Sequence, residues 1–108
     1  MPLVVVDVCP VEELPPGTVK IVYAGLVAVG VYNCGGQLYA LEDRCSHDDG
    51  PLCEGDWDTD ECVAICPRHG ANIDITTGRP LTLPATEPVN TYPVRVEDGW
   101  VKVEVETG

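Results

Sequence analysis

Basic side chains are scarce in this sequence: six Lys and Arg stand against eighteen Asp and Glu, for a net charge of −12 over 108 residues. A nucleic-acid binder presents a basic face to the phosphates, so that class is excluded. The acidity suits a soluble protein that meets a partner carrying a positive patch, although on its own it also suits a protein merely kept in solution. Long apolar runs are missing too, and no stretch approaches the roughly 20 residues of a membrane span. The first residues, Met1-Pro2-Leu3-Val4-Val5-Val6-Asp7, lack a basic start, and Asp7 breaks the apolar run too early for an export signal. A cytoplasmic protein is therefore expected. There is no internal repeat, no low-complexity tract and no linker to a second domain. Helical periodicity is also absent, and ten prolines would interrupt most long helices.

What is present is a chain that folds. A hydrophobic fraction of 44% rules out disorder, and the length suits one domain with a modest core. Short runs rich in Val, Ile and Tyr read as strands: Leu3 to Cys9, Thr18 to Tyr23, Leu26 to Tyr32 and Gln37 to Leu41. Each is bounded by Pro, Gly or Asn. Cys62 to Ile65, Ile73 to Ile75, Tyr92 to Glu97 and Trp100 to Glu104 continue the habit, and Asp98-Gly99 marks a hairpin turn. Val11 to Leu14 allows one helical turn. Closely spaced strands joined by turns make an all-β, antiparallel sandwich or barrel-like domain.

Six cysteines would suit a disulfide-stapled secreted protein, but the N-terminus speaks against export. Their arrangement suggests metal instead. Cys45-Ser46-His47 is answered by Cys66-Pro67-Arg68-His69-Gly70 across residues 48–65. Residues i and i+2 of an extended segment project to one side, so Cys45 and His47 can reach one centre together. Two thiolates and two imidazoles suit either a Cys2His2 zinc ion or a [2Fe–2S] cluster with unequally ligated irons. Zinc units are usually compact and fold around their metal, whereas this pair of motifs sits among strands that carry their own apolar content.

The two motifs resemble the paired signature of Rieske iron–sulfur proteins. The likeness is greatest to small soluble Rieske ferredoxins, including those that serve bacterial aromatic-ring dioxygenases. It extends to Val11-Glu12-Glu13-Leu14-Pro15-Pro16-Gly17, to Leu38-Tyr39-Ala40-Leu41-Glu42-Asp43, and to Thr77-Gly78-Arg79-Pro80 through Leu83-Pro84-Ala85, so almost the whole chain is covered. The resemblance implies a single Rieske domain over 1–108, with a base built from about 1–42 and 80–108 and a cluster-binding subdomain inserted at about 43–79. It implies one [2Fe–2S] cluster, Cys45 and Cys66 holding the inner iron and His47 and His69 the outer one. Leu83-Pro84-Ala85 would fold over the cluster. Some Rieske-like subunits have lost their ligands; this chain keeps all four.

Two departures separate it from the high-potential branch of that family. Gly50 and Arg68 stand where that branch has a pair of cysteines clamping the loops. Ala71 and Ile73 stand where it has a serine and a tyrosine that donate to the cluster sulfurs. Fewer donors imply a potential near the low end of the Rieske range, about −150 mV rather than about +300 mV. The function implied is that of a one-electron carrier rather than an enzyme. It would take electrons from a flavin-containing reductase and pass them to a terminal oxygenase or similar acceptor, acting as a monomer with no nucleic acid and no membrane. An accessory or redox-sensing module tied to cluster assembly, and a zinc-binding interaction module, are the competing classes.

The remaining cysteines carry less. Cys9 and Cys62 read as small buried hydrophobes, and a Cys53–Cys62 disulfide is conceivable. Cys34, in a Cys-Gly-Gly turn, is expected to be exposed and able to link two copies on oxidation. Trp57 and Trp100 are expected to be packing residues, and Asp48, Asp49 and Arg68 lie beside the ligands in sequence.

Overall fold

The computed structural model describes residues 3–44, 52–53, 55–66, 70–82 and 88–106. Their strands are β1 (Leu3–Pro10), β2 (Val19–Ala24), β3 (Val27–Cys34), β4 (Gln37–Glu42), β5 (Trp57–Asp58), β6 (Val63–Ile65), β7 (Asn72–Asp74), β8 (Thr91–Tyr92), β9 (Val94–Glu97) and β10 (Trp100–Glu106). A single 3-10 turn, Val11–Glu13, follows β1, where one helical turn is expected. Antiparallel pairing gathers the strands into three sheets, ordered β1-β10-β9, β2-β3-β4-β8 and β5-β6-β7. The all-β expectation holds.

Strand β10 shows how sequence becomes sheet. Val101, Val103 and Val105 alternate with polar or exposed neighbours and are fully buried, because successive side chains of a strand point to opposite faces. Asp98 and Gly99 both take left-handed backbone angles, and Trp100 pairs directly with Glu97. This is the two-residue hairpin that Asp-Gly favours. Trp100 itself is 42% exposed, so it lies on the surface and not among the packing residues as expected.

Two differences from the strand assignment have clear causes. Tyr92 to Glu97, expected as one strand, is divided at Pro93. Thr91 and Tyr92 pair with β4, whereas Val94 to Glu97 pair with β10. Proline has no N–H to give to a ladder, so the chain changes sheets there. Strand β5 went unanticipated, since Trp57-Asp58 is too short for any alternation to register.

Strand β3 lies at the centre. Val29 and Val31 point into one core with Val8, Leu14, Ala40, Val101, Val103 and Val105. Tyr32, on the opposite face, belongs to a second core with Leu41, Leu52, Cys53, Ala64, Ile73, Ile75 and Val89. Covered on both sides, β3 reads as a nearly continuous apolar run. Its second face is where the motif-bearing part of the chain is attached.

Candidate metal centre

Of the four sequence-identified ligands, Cys66 is described by the structure. Cys45, His47 and His69 lie outside the described residues, as do Asp48, Asp49, Gly50, Arg68 and the segment Leu83-Pro84-Ala85. Cys66 follows β6, is 1% exposed and is not in a disulfide. The Gly70 N–H donates to the Cys66 carbonyl at 2.9 Å, and the Cys66 N–H donates to the Ala71 carbonyl at 2.8 Å. Together they close the connection between β6 and β7 around the sequence Pro67-Arg68-His69. Gly70 has φ of +72°, a left-handed conformation that glycine adopts without steric penalty. Ala71 and Ile73 are fully buried and offer only apolar side-chain atoms.

The first motif is closed at its base by a residue that sequence reasoning passed over. Asp43 Oδ1 accepts the N–H of Leu52 at 2.9 Å and that of Cys53 at 2.7 Å. The Asp43 N–H in turn donates to the Ala28 carbonyl of β3 at 2.8 Å. One carboxylate thus fastens both ends of the segment carrying Cys45 and His47. No local pattern could reveal it, because its partners lie nine and ten residues away.

Cys53 completes this base. Its thiol is pushed up to about 12, first by burial and also by the acidic Asp43 beside it, against the lowering influence of the neighbouring Tyr32 hydroxyl and Gly30 backbone. Burial likewise drives the Tyr32 phenol well above its ordinary range. Gly30 lies so close beneath Cys53 that a side-chain carbon there would collide with the sulfur. Cys53 is thus a packing group of the second core, seated against Gly30.

The disulfide expectations are corrected. Cys62 is bonded to Cys34 rather than Cys53, and Cys53 is free and buried. Cys34 is accordingly half-buried and engaged, not an exposed free thiol. Local spacing could not find the pair, since β3 and β6 come together only when the third sheet folds over the second. Cys9 is buried in the first core, as expected. Trp57 packs edge-on against Tyr32 with ring centroids 4.9 Å apart, which bears out its packing role.

The donor set fits a [2Fe–2S] cluster. Cys66 is buried and left free while Cys34 and Cys62 are paired and Cys53 is packed tightly on Gly30. The second motif-bearing segment is closed at its base by backbone hydrogen bonds, and the first by the Asp43 carboxylate on the N–H groups of Leu52 and Cys53. Such a group, held by two thiolates and two imidazoles, supplies a one-electron redox couple.

Asp43→Ala would strand two buried N–H groups, each worth about 1–3 kcal/mol when left unsatisfied. The expected result in guanidinium unfolding is a loss of about 2–4 kcal/mol. Asp43→Asn, which keeps an acceptor oxygen, should lose less than half of that. Equal losses in the two variants would show that the carboxylate does not close this segment.

Comparison with known proteins gives a consistent picture. Residues 4–93 match the Rieske [2Fe-2S] domain. The chain is 40% identical over 97 residues to the 3-phenylpropionate/cinnamic acid dioxygenase ferredoxin subunit of Shigella flexneri serotype 5b (strain 8401), covering 90% of each chain. Among solved structures it is similar to a chain in a complex of reduced oxygenase and oxidized ferredoxin in carbazole 1,9a-dioxygenase. That likeness has a TM-score of 0.84 and 38% identity over 92% of this chain and 91% of the other. The ferredoxin of carbazole 1,9a-dioxygenase from Nocardioides aromaticivorans IC177 gives 0.85 and 30%, over 92% and 95%.

Proposed function

We propose that this chain, which belongs to the Rieske [2Fe-2S] domain family, is a low-potential carrier of single electrons that serves a multicomponent oxygenase. The observation that carries the proposal is that its likeness to dioxygenase ferredoxin subunits spans nine-tenths of both chains. The protein is then a transfer component and not itself a catalyst. Cys45 and Cys66 would hold one iron, His47 and His69 the other. The cluster-binding part would be about 43–79, and the base about 1–42 with 80–108. The separate sheet β5-β6-β7 supports this division.

Its electron donor would be a flavin-containing reductase and its acceptor a terminal oxygenase. Support for the acceptor comes from the solved relative found in complex with an oxygenase. A net charge of −12 favours acceptors and donors with basic docking faces, and association should slow as salt rises. No helix among the described residues is long and apolar enough to cross a membrane. A cytoplasmic monomer is the form proposed.

Protein-film voltammetry tests the reading. The side chains of Ala71 and Ile73, just after the second motif, offer no hydroxyl or other donor, so the midpoint should lie near −150 mV, about the low end for Rieske centres. Imidazoles on a low-potential centre keep their outer protons at neutral pH. The midpoint should therefore stay flat between about pH 6 and pH 8, ordinary histidine titration notwithstanding. A value near +300 mV, or a fall of about 59 mV per pH unit, would place the protein on the other branch.

A further inference from the structure

We infer that Cys34 and Cys62 form a second redox site, a thiol–disulfide pair that reacts with small thiols and disulfides of the glutathione class and clamps the third sheet to the second. The second face of β3 shows why. Gly30, Tyr32 and Cys34 alternate along the strand and so share one side of it. Each meets the motif-bearing part of the chain: Gly30 lies under Cys53, Tyr32 packs on Trp57, and Cys34 is bonded to Cys62. At the other end of the strand the Ala28 carbonyl accepts the Asp43 N–H. The attachment is therefore pinned at both ends of β3, by a hydrogen bond near its start and a covalent bond at its finish.

That covalent bond is placed to matter. No strand of β5-β6-β7 pairs with one of β2-β3-β4-β8 among the described residues, so the two sheets meet through side chains. The bridge joins positions 28 residues apart in sequence with Cα atoms 5.8 Å apart, and the chain it encloses carries Asp43, Cys45 and His47. Cys62 holds a left-handed backbone angle, φ +57°, and its carbonyl accepts the Ile75 N–H at 3.0 Å. A non-glycine residue in that conformation is held by its surroundings.

The chemistry balances without the cluster. The Cys34 thiolate attacks oxidised glutathione, forming a mixed disulfide and releasing one glutathione thiolate. The Cys62 thiolate then attacks the Cys34 sulfur, closing the bridge and releasing the second. Two cysteine thiols have lost two protons and two electrons, and one glutathione disulfide has gained them. Reduction runs in reverse. Incoming thiolate attacks the half-buried Cys34 sulfur, and the buried Cys62 is the leaving group.

The effect on cluster retention rests on the ligand reading above; the bridge itself does not. The test takes the purified holoprotein in oxidised or excess reduced glutathione, quenches with acid, alkylates and digests. A Cys34–Cys62 linked peptide is expected in the first sample and two alkylated cysteines in the second. Visible absorption is then followed in the presence of a chelator. Loss should be about tenfold faster after reduction, and Cys34→Ser should lose its colour at the reduced rate under both conditions. Absence of the linked peptide, or a Cys53–Cys62 peptide in its place, overturns the site. Equal decay rates in oxidised and reduced wild type overturn the clamp. A wild type with no cluster at all overturns the ligand reading instead. The apoprotein's guanidinium midpoint then decides the clamp, which requires a higher value for oxidised than for reduced wild type and no such difference in Cys34→Ser.

Discussion

Alanine at His47 or His69 leaves a protein without the visible colour and reduced-state paramagnetic resonance signal of its centre. On the proposed ligand set each substitution removes one of the two imidazoles on one iron, and no described His, Cys, Asp or Glu is grouped to replace it. Even partners one shell beyond the ligands change metal affinity by about 10–100-fold, so cluster occupancy should fall by more than about tenfold. Cys45→Ser and Cys66→Ser should do the same at the other iron. For Cys66 the structure adds a reason: it is buried, free and fixed by hydrogen bonds on both its N–H and its carbonyl. Cys9→Ser, in the core between the first two sheets, is the control and should keep its signal. A normal signal in all four ligand variants would sink the assignment.

Gly78→Ala should be the most damaging single change outside the ligands. Gly78 has φ of +77°, where a β-carbon costs roughly 1–2 kcal/mol. The added carbon would also sit impossibly near the Val89 carbonyl oxygen and 3.1 Å from the Thr91 methyl. The carbonyl cannot swing aside cheaply, because the Val89 N–H is bonded to the Gly78 oxygen at 2.9 Å. Overpacking adds about 1–3 kcal/mol, for a total of about 2–5 kcal/mol. In a domain of this size each kcal/mol moves the melting temperature by roughly 4–8 °C, so a drop of about 10 °C or more is expected. Gly36→Ala separates the two causes. Gly36 has φ of +101° but nothing within 4 Å of an added carbon, so it should lose only the conformational part. Equal losses at the two sites would show that the approach of Val89 is not a constraint.

The location of Gly78 explains the size of the effect. Its N–H bonds the Asp74 carbonyl, at the end of β7, and its own carbonyl holds Val89. One residue further, the Asn90 carbonyl accepts the Glu42 N–H at the end of β4. The chain returning from the motif-bearing part is therefore held at two consecutive positions, Val89 to the turn after β7 and Asn90 to the end of β4. Together with Asp43, Gly30 and the Cys34–Cys62 bridge, it sets how the third sheet sits on β3.

The features that the sequence by itself determined are local or chemical. Alternating valines at 101, 103 and 105 specify a half-buried strand, because the side-chain period of a strand is two. Asp98-Gly99 specifies its turn, because few residue pairs accept two left-handed conformations in succession. The Cys-x-His and Cys-x-x-His pairs declare a metal centre through donor chemistry alone, before any strand is placed. Tertiary structure decided what depends on which surfaces meet. Pro93 divides β8 from β9 because two different sheets compete for the strand, and a residue without an N–H marks the exchange. Cys34 and Cys62 are neighbours only because the third sheet lies on one face of β3, and Cys53 is excluded as a partner because Gly30, Tyr32 and Asp43 already enclose it. Asp43 and Gly78 look like ordinary loop residues until the segments they bind, nine to eleven residues further along the chain, are folded against them.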